Sequence, residues 1–541
     1  MTSLSSVESL EADLGRIGPR LDRPPDWRLV GAILAVIVGG LCFAAYGVFR
    51  DVEAARTPVD AYAPYLLLGT ALLIALGFEF VNGFHDTANA VATVIYTRSL
   101  SPELAVVWSG LFNILGVLLS SGAVAFGVVS LLPVELILQV GSWAGFAMVF
   151  AILVAAILWN LGTWWLGLPA SSSHTLIGSI IGVGVANALT NGRAATAGVD
   201  WSQASAVGYA LLLSPLAGFI GSALLLLAMK LLVRKPELYS APAGNAPPPL
   251  WIRAILVLTC TGVSFAHGSN DGQKGMGLIM LILIGTAPTA YALNRAVPPS
   301  HAQSFVEASE AAATVVDARG PGVRATNGGD ARDVIERAVA SRQIGEKTYP
   351  SLAWLIRDIA KRVGGYGSFD RIPAAEIGAT RNDMYLVSEA VRLIGAVNSP
   401  KLFADENEAL DRYRQELESS TRFIPNWVKI CVALALGLGT MVGWKRIVVT
   451  VGERIGKAHL TYGQGAVAEF VAMSTIFAAD NLGLPVSTTH ILSSGVAGTM
   501  AANGSGVQLA TVRNIVLAWV LTLPCAILLS ASLYWLFVRA L

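Results

Sequence analysis

Apolar runs recur along the chain near 30–49, 64–81, 104–131, 142–166, 206–233, 251–266, 275–289, 426–443, 462–478 and 511–538. A helix crosses the hydrocarbon core with about 20 such residues, so the pattern predicts an all-α polytopic membrane protein with about 10–12 membrane elements. Several runs are interrupted by Gly, Pro and polar residues. Irregular backbone at membrane depth is tolerated only where it is buried in protein or lines a water-filled cavity, so these breaks mark a cavity. Between Leu293 and Ile424 the pattern changes to mixed charge, with helix-like stretches at Ser351–Arg362 and Met384–Ala396. The expected layout is a polar extension (1–28), a first membrane repeat (29–235), the start of a second (251–293), a soluble helical insert (294–425) and the rest of the second repeat (426–541).

Composition agrees with that reading. Of 541 residues, 54% are hydrophobic and 13% charged, too apolar for an ordinary soluble fold. A net charge of +1 gives no basis for nucleic-acid binding. Cys42, Cys260, Cys431 and Cys525 lie in apolar stretches without CxxC spacing, so neither a disulfide framework nor a zinc site is expected. The first apolar run begins near Val30, after a polar stretch, which does not fit a cleavable signal peptide. No HExxH-like ligand set points to a metalloenzyme, and no catalytic residue, resident metal or cofactor is expected.

Two polar phrases are each written twice. Gly167-Leu-Pro-Ala-Ser-Ser-Ser-His174 and Gly483-Leu-Pro-Val-Ser-Thr-Thr-His490 share five of eight residues, and the exchanges keep the hydroxyls. Ahead of each lies an Asp in an apolar run, Asp86 within Asn82–Ala90 and Asp271 within His267–Gly275. The Asp residues are 185 positions apart and the His residues 316, and the excess of 131 matches the insert. The halves are therefore colinear copies. Counting 104–131, 142–166 and 206–233 as three crossings, with 169–190 as a re-entrant hairpin entering and leaving on one side, the second copy is read as inverted. Inverted repeats with broken helices meeting at the midplane are the architecture of secondary transporters.

The chemistry follows from the residue types. Ser171, Ser172, Ser173, Ser487, Thr488 and Thr489 follow Pro169 and Pro485 at expected helix starts, where hydroxyls and free N–H groups suit an anion such as phosphate. Lys274 would offset its charge. Asp86 and Asp271 would repel the anion unless a cation or proton came with it. With Asn82, Asn89 and Asn270 as neutral donors, they suit sodium, magnesium or protons as companions. Phosphate keeps a proton near neutral pH that a carboxylate can accept, which favours it over sulfate. His174 and His490 are read as hairpin supports or proton relays, and His85 and His267 likewise. Glu79, Arg98 and Glu469 are read as gate, interface or structural residues.

Asn82–Ala90 with the following Val91–Arg98, the His267–Gly277 stretch and both Gly-Leu-Pro-x-Ser-x-x-His phrases resemble signature segments of the inorganic phosphate transporter family, in its bacterial low-affinity branch. The resemblance implies an inverted-repeat homodimer of the bacterial inner membrane, surrounded by lipid, that imports inorganic phosphate with a coupled cation by alternating access. It carries the substrate role onto Asp86, Asn89, Asn270, Asp271 and the hydroxyl phrases, and the coupling-cation role onto Asp86, Asp271, Asn82 and Asn270. The family's Asn-Asp-x-Ala-Asn-Ala signature here reads His85-Asp86-Thr-Ala-Asn89-Ala and Asn270-Asp271-Gly-Gln273-Lys274-Gly. Lys274 in place of the second Asn disfavours a symmetric sodium site. It fits the proton-coupled, metal–phosphate-carrying behaviour of the bacterial branch. The expectation is a proton-coupled phosphate importer, with magnesium as a companion of phosphate. The alternatives are a sodium-coupled phosphate symporter, a sulfate permease on the same fold and a passive anion channel.

Overall fold

Lipid offers no partner for backbone N–H and C=O groups, and a helix satisfies them within one segment. The computed structural model describes residues 27–55, 63–86, 88–132, 137, 142–242, 246–320, 328–397 and 403–540, and among these no strand forms. α1 (Trp27–Ala54) precedes the repeats. The first repeat contains α2 (Ala63–Asp86), α3 (Ala88–Tyr96), α4 (Pro102–Leu119), the short α5 (Ala123–Val129), α6 (Trp143–Trp165), α7 (Ser172–Thr190) and α8 (Trp201–Leu232). α9 (Leu250–Thr286) opens the second. The insert follows as α10 (Pro299–Ala318), α11 (Gly328–Ser341), α12 (Thr348–Tyr366), α13 (Ala374–Val397) and α14 (Ala404–Thr421). The repeat then resumes with α15 (Asn426–Thr440), α16 (Tyr462–Asn481), α17 (Thr488–Asn503) and α18 (Leu509–Ala540).

Eight helical stretches among the described residues are long and apolar enough to cross a membrane, with α2 and α3 counted together. α15, α16 and α17, shorter or more polar, complete the second repeat. Leu212, Leu213 and Leu216 on α8 and Leu517, Val520 and Leu521 on α18 are exposed, as expected of faces that meet lipid. The runs 251–266 and 275–289, read from sequence as separate segments, are one unbroken helix, α9. Its polar residues interrupt the apolar pattern but not the backbone ladder, because groups on other elements, among them Asn113, Ser173 and Asp480, meet most of their side chains.

The two repeats interlock through glycine. A Cβ at Gly83 would meet the Leu436 carbonyl, and one at Gly268 the Asn113 carbonyl. Likewise, Gly116 abuts the Phe265 carbonyl and Gly439 that of Phe80. Gly83 and Gly268 stand at equivalent places, as do Phe80 and Phe265, so one crossing has been built twice. Each repeat packs onto the other: α4 lies on α9 while α15 lies on α2, and α7 lies on α18 while α17 lies on α8.

Direction is read from the same contacts. Glu79 adjoins Gly275, Asp86 is bridged to Asp271 by Ser172, and Thr93 and Thr259 both donate to Glu469. Numbers rising along α2 and α3 meet numbers falling along α9, so the copies are antiparallel. The route differs from the three crossings expected. Thr175 donates to Asn160, while Thr163 and Ser172 both lie at the level of His85 and Asp86. α6 and α7 are therefore the two arms of one hairpin, and 142–166 is its first arm rather than an independent crossing. The full crossings between the Asp helices are α4 and α8, and two intervening crossings set α9 against α2.

The insert has its own core, built around Phe305, Leu352, Ile356, Ile359 and Tyr413. Its ends meet where the Asn294 N–H donates to the Ser420 carbonyl at 2.8 Å. Asp200 caps α8 by accepting from the Gln203 N–H and also pairs with Arg342 and Arg392 of the insert. Burial disfavours the Asp200 carboxylate, but the Gln203 N–H and the two guanidinium groups outweigh it and hold the group below the usual carboxylate range. Gly268→Ala should lower stability by about 1–3 kcal/mol through overpacking against Asn113, read as an earlier thermal unfolding midpoint in detergent. An unchanged midpoint would contradict the close crossing.

Candidate functional site

Each Gly-Leu-Pro phrase turns on a left-handed glycine, Gly167 or Gly483, and then leads into a helix start. Ser171 caps α7 by accepting from the His174 N–H at 3.2 Å, and Ser487 caps α17 by accepting from the His490 N–H at 3.1 Å. A helix start leaves N–H groups without intrahelical partners and carries partial positive charge. The two starts face each other: the His174 and His490 rings lie 4.4 Å apart, and the Ser173 hydroxyl donates to the Val486 carbonyl at 2.7 Å.

Asp86, the last residue of α2, lies between them. It accepts from Thr489 of the second phrase at 2.7 Å, from Ser172 of the first, and lies 3.0 Å from His85 Nδ1. Asp271, midway along α9, pairs with Lys274 Nζ at 2.8 Å and receives a longer contact from Ser172 at 3.4 Å. Lys274 also donates to Ser173 and to the Val486 carbonyl. Asn270 clamps the tip of the second hairpin, donating to the Leu484 carbonyl at 3.1 Å and accepting from the Val486 N–H at 3.3 Å. All these side chains are buried.

The structure thus gathers Asp86, Asp271, Asn270, Lys274, Ser171, Ser172, Ser173, Ser487 and Thr489 around one point. Thr488 is buried there with its hydroxyl unbonded. Asn82 lies one turn before Asp86, buried, beside the Glu79 carboxyl and with no hydrogen bond of good geometry at either end of its amide. The side chain of Asn89 lies outside the described residues. His174 Nδ1 lies 2.9 Å from the Ser171 hydroxyl, and His490 stacks on Trp519, whose indole N–H donates to the Pro169 carbonyl at 2.8 Å. The two histidines brace the hairpin tips.

Sequence reasoning gave His267 little weight, yet Asp86, His267 and Asp271 each offer a ligand atom within 4.8 Å of the others. His267 Nδ1 lies 2.8 Å from Asn113 Oδ1, leaving Nε2 directed 3.8 Å from Asp271. The signal was present, since residues four apart on a helix share a face. This trio could hold one small cation. The centre as a whole holds two carboxylates against one ammonium, so an anion needs further positive charge to enter.

Residues 82–530 match the phosphate transporter family, a stretch that holds both hydroxyl phrases and both Asp segments. The chain belongs to that family. It is 41% identical over 483 residues to the low-affinity inorganic phosphate transporter PitA of Escherichia coli strain K12, covering 87% of this chain and 96% of the relative. It is 39% identical over 499 residues to PitB of the same strain, covering 88% and 98%. A probable low-affinity inorganic phosphate transporter of Bacillus subtilis strain 168 is 27% identical over 474 residues, covering 87% of this chain and 98% of the relative. A solved sodium-dependent phosphate transporter aligns over 88% of this chain and 100% of its own, with 18% identity and a TM-score of 0.49.

Within this family member the Asp271–Lys274 pair is open to direct test. Lys274→Met leaves a buried carboxylate without its ammonium and should destabilise the protein by about 3–5 kcal/mol, read by thermal unfolding in detergent. Adding Asp271→Leu should recover most of that loss. A single variant as stable as the parent would show that the pair carries little.

Proposed function

We propose that this chain is a secondary active importer of inorganic phosphate in the bacterial inner membrane, coupled to protons. One observation carries the reading: the hydroxyl phrases of two inverted halves donate to a single carboxylate, Asp86, through Ser172 and Thr489. Phosphate seated between the starts of α7 and α17 takes over these hydroxyls and the free N–H groups behind them. Lys274 supplies one positive charge. Protons delivered to the acidic groups supply the rest, so the loaded centre approaches neutrality before it is occluded. Because each half contributes one hairpin and one Asp, rocking one half against the other exposes the same centre first to one side and then to the other.

The Asp86, His267 and Asp271 trio favours a second form of the cargo, in which phosphate travels as a neutral complex with a divalent cation such as magnesium. The trio's oxygen and imidazole donors would then meet the cation while the hydroxyl phrases meet the phosphate. Selection against sulfate follows from the acidic groups, which accept a hydrogen bond from protonated phosphate that sulfate lacks.

The test is uptake of labelled phosphate by the full-length protein in proteoliposomes, with proton or sodium gradients imposed and magnesium present or absent. Asp86→Asn should abolish gradient-driven uptake, and Ser172→Ala should raise KM roughly tenfold by removing a hydrogen bond to a charged partner. Excess sulfate should compete poorly. Parent-like kinetics in both variants, or strong sulfate competition, would defeat this assignment.

A further inference from the structure

Glu79 lies outside the machinery described above. It projects from α2 two turns before Asp86 and is fully buried, with the Asn82 amide and the Gly275 N–H beside its carboxyl but no hydrogen bond of good geometry to either oxygen. Glu79 faces α9 where Gly275 offers no side chain, and a Cβ there would strike the Glu79 carboxyl. The charges that act on it most strongly are Asp271 and Lys274, both from α9. Other elements packed against α2 offer it little. α6 carries no ionisable residue, Lys429 of α15 is engaged with the Ser120 carbonyl, and His174 of α7 with Ser171.

Lys274 decides what Glu79 can do. Its ammonium forms an ion pair with Asp271 and donates to Ser173 and to the Val486 carbonyl. No hydrogen bond runs from it to Glu79. A carboxylate buried with so little compensation is less stable than the neutral acid, so this arrangement favours the protonated form of Glu79. Were Lys274 to leave Ser173 and Asp271, the Glu79 carboxyl would still lie within its electrostatic reach.

We propose that Glu79 carries the coupled proton and that Lys274 ties its loading to the phosphate site. This rests on the phosphate-importer reading above. Phosphate on Ser173 keeps the ammonium on the substrate side, and Glu79 takes a proton from water on the side to which the centre is open, forming an O–H bond. After phosphate leaves on the other side, Lys274 turns to Glu79. The O–H bond breaks, the proton passes to water there, and an ammonium–carboxylate pair replaces it. One proton moves with each phosphate, and no electrons are exchanged.

Full-length protein in proteoliposomes tests this with labelled inorganic phosphate and magnesium in two assays, phosphate–phosphate counterflow without a gradient and accumulation driven by an inside-alkaline pH gradient. Glu79→Gln, a permanent mimic of the neutral acid, should keep counterflow and lose pH-driven accumulation, and Glu79→Asp should regain part of that accumulation. Parent-like accumulation by Glu79→Gln overturns the proposal. So does joint loss of counterflow and accumulation in a variant that remains monodisperse with a parent-like unfolding midpoint, because Glu79 would then serve phosphate itself. A parent protein that shows no counterflow refutes the importer reading, and the role of Glu79 falls with it.

Discussion

The structure depends on the cost of holding carboxylates where there is almost no water. A charge buried without compensation costs several kcal/mol or more, so each intramembrane Asp must be met by donors. Neither half can supply enough of them. Asp86 takes hydroxyls from Ser172 of its own half and Thr489 of the other, and Asp271 takes its ammonium from its own helix and a hydroxyl from Ser172. The centre therefore exists only when the halves are assembled, which is what a site serving two opposite openings requires.

Backbone proximity makes that assembly possible. Gly83 and Gly268, with Gly116 and Gly439, let the Asp-bearing helices approach α15 and α4 closely enough for a carbonyl to occupy the space of a methyl group. Repetition of these contacts at equivalent positions keeps the two halves alike in shape. Their chemistry differs. Asn82 corresponds to His267, His85 to Asn270, and Asn89 to Lys274, so a symmetric scaffold carries an asymmetric set of charges. Lys274 gives one half a positive charge that the other half lacks.

Much of this was legible in the sequence because charge and hydroxyls stand out against an apolar background. The doubled Gly-Leu-Pro phrases, the two Asp residues and the matching offsets located the centre and the insert. The unbroken course of α9 was hidden, since hydropathy reports side chains while the i to i−4 backbone ladder passes through polar and apolar residues alike. The crossing count failed for a related reason: α6 is as apolar as a true crossing, and only its pairing with α7 through Asn160 and Thr175 shows it to be a hairpin arm. The surroundings of Glu79 and His267 were hidden, because they are contributed by residues far away in the chain. The side chain of Asn89, which the signature also marks, lies outside the described residues.

The most direct measurement is a density map of the full-length protein prepared with phosphate and magnesium. The account predicts a phosphate between the starts of α7 and α17, within hydrogen-bond distance of residues from both Ser171–Ser173 and Ser487–Thr489. Phosphate bound to one half alone, or away from Asp86 and Asp271, would contradict it.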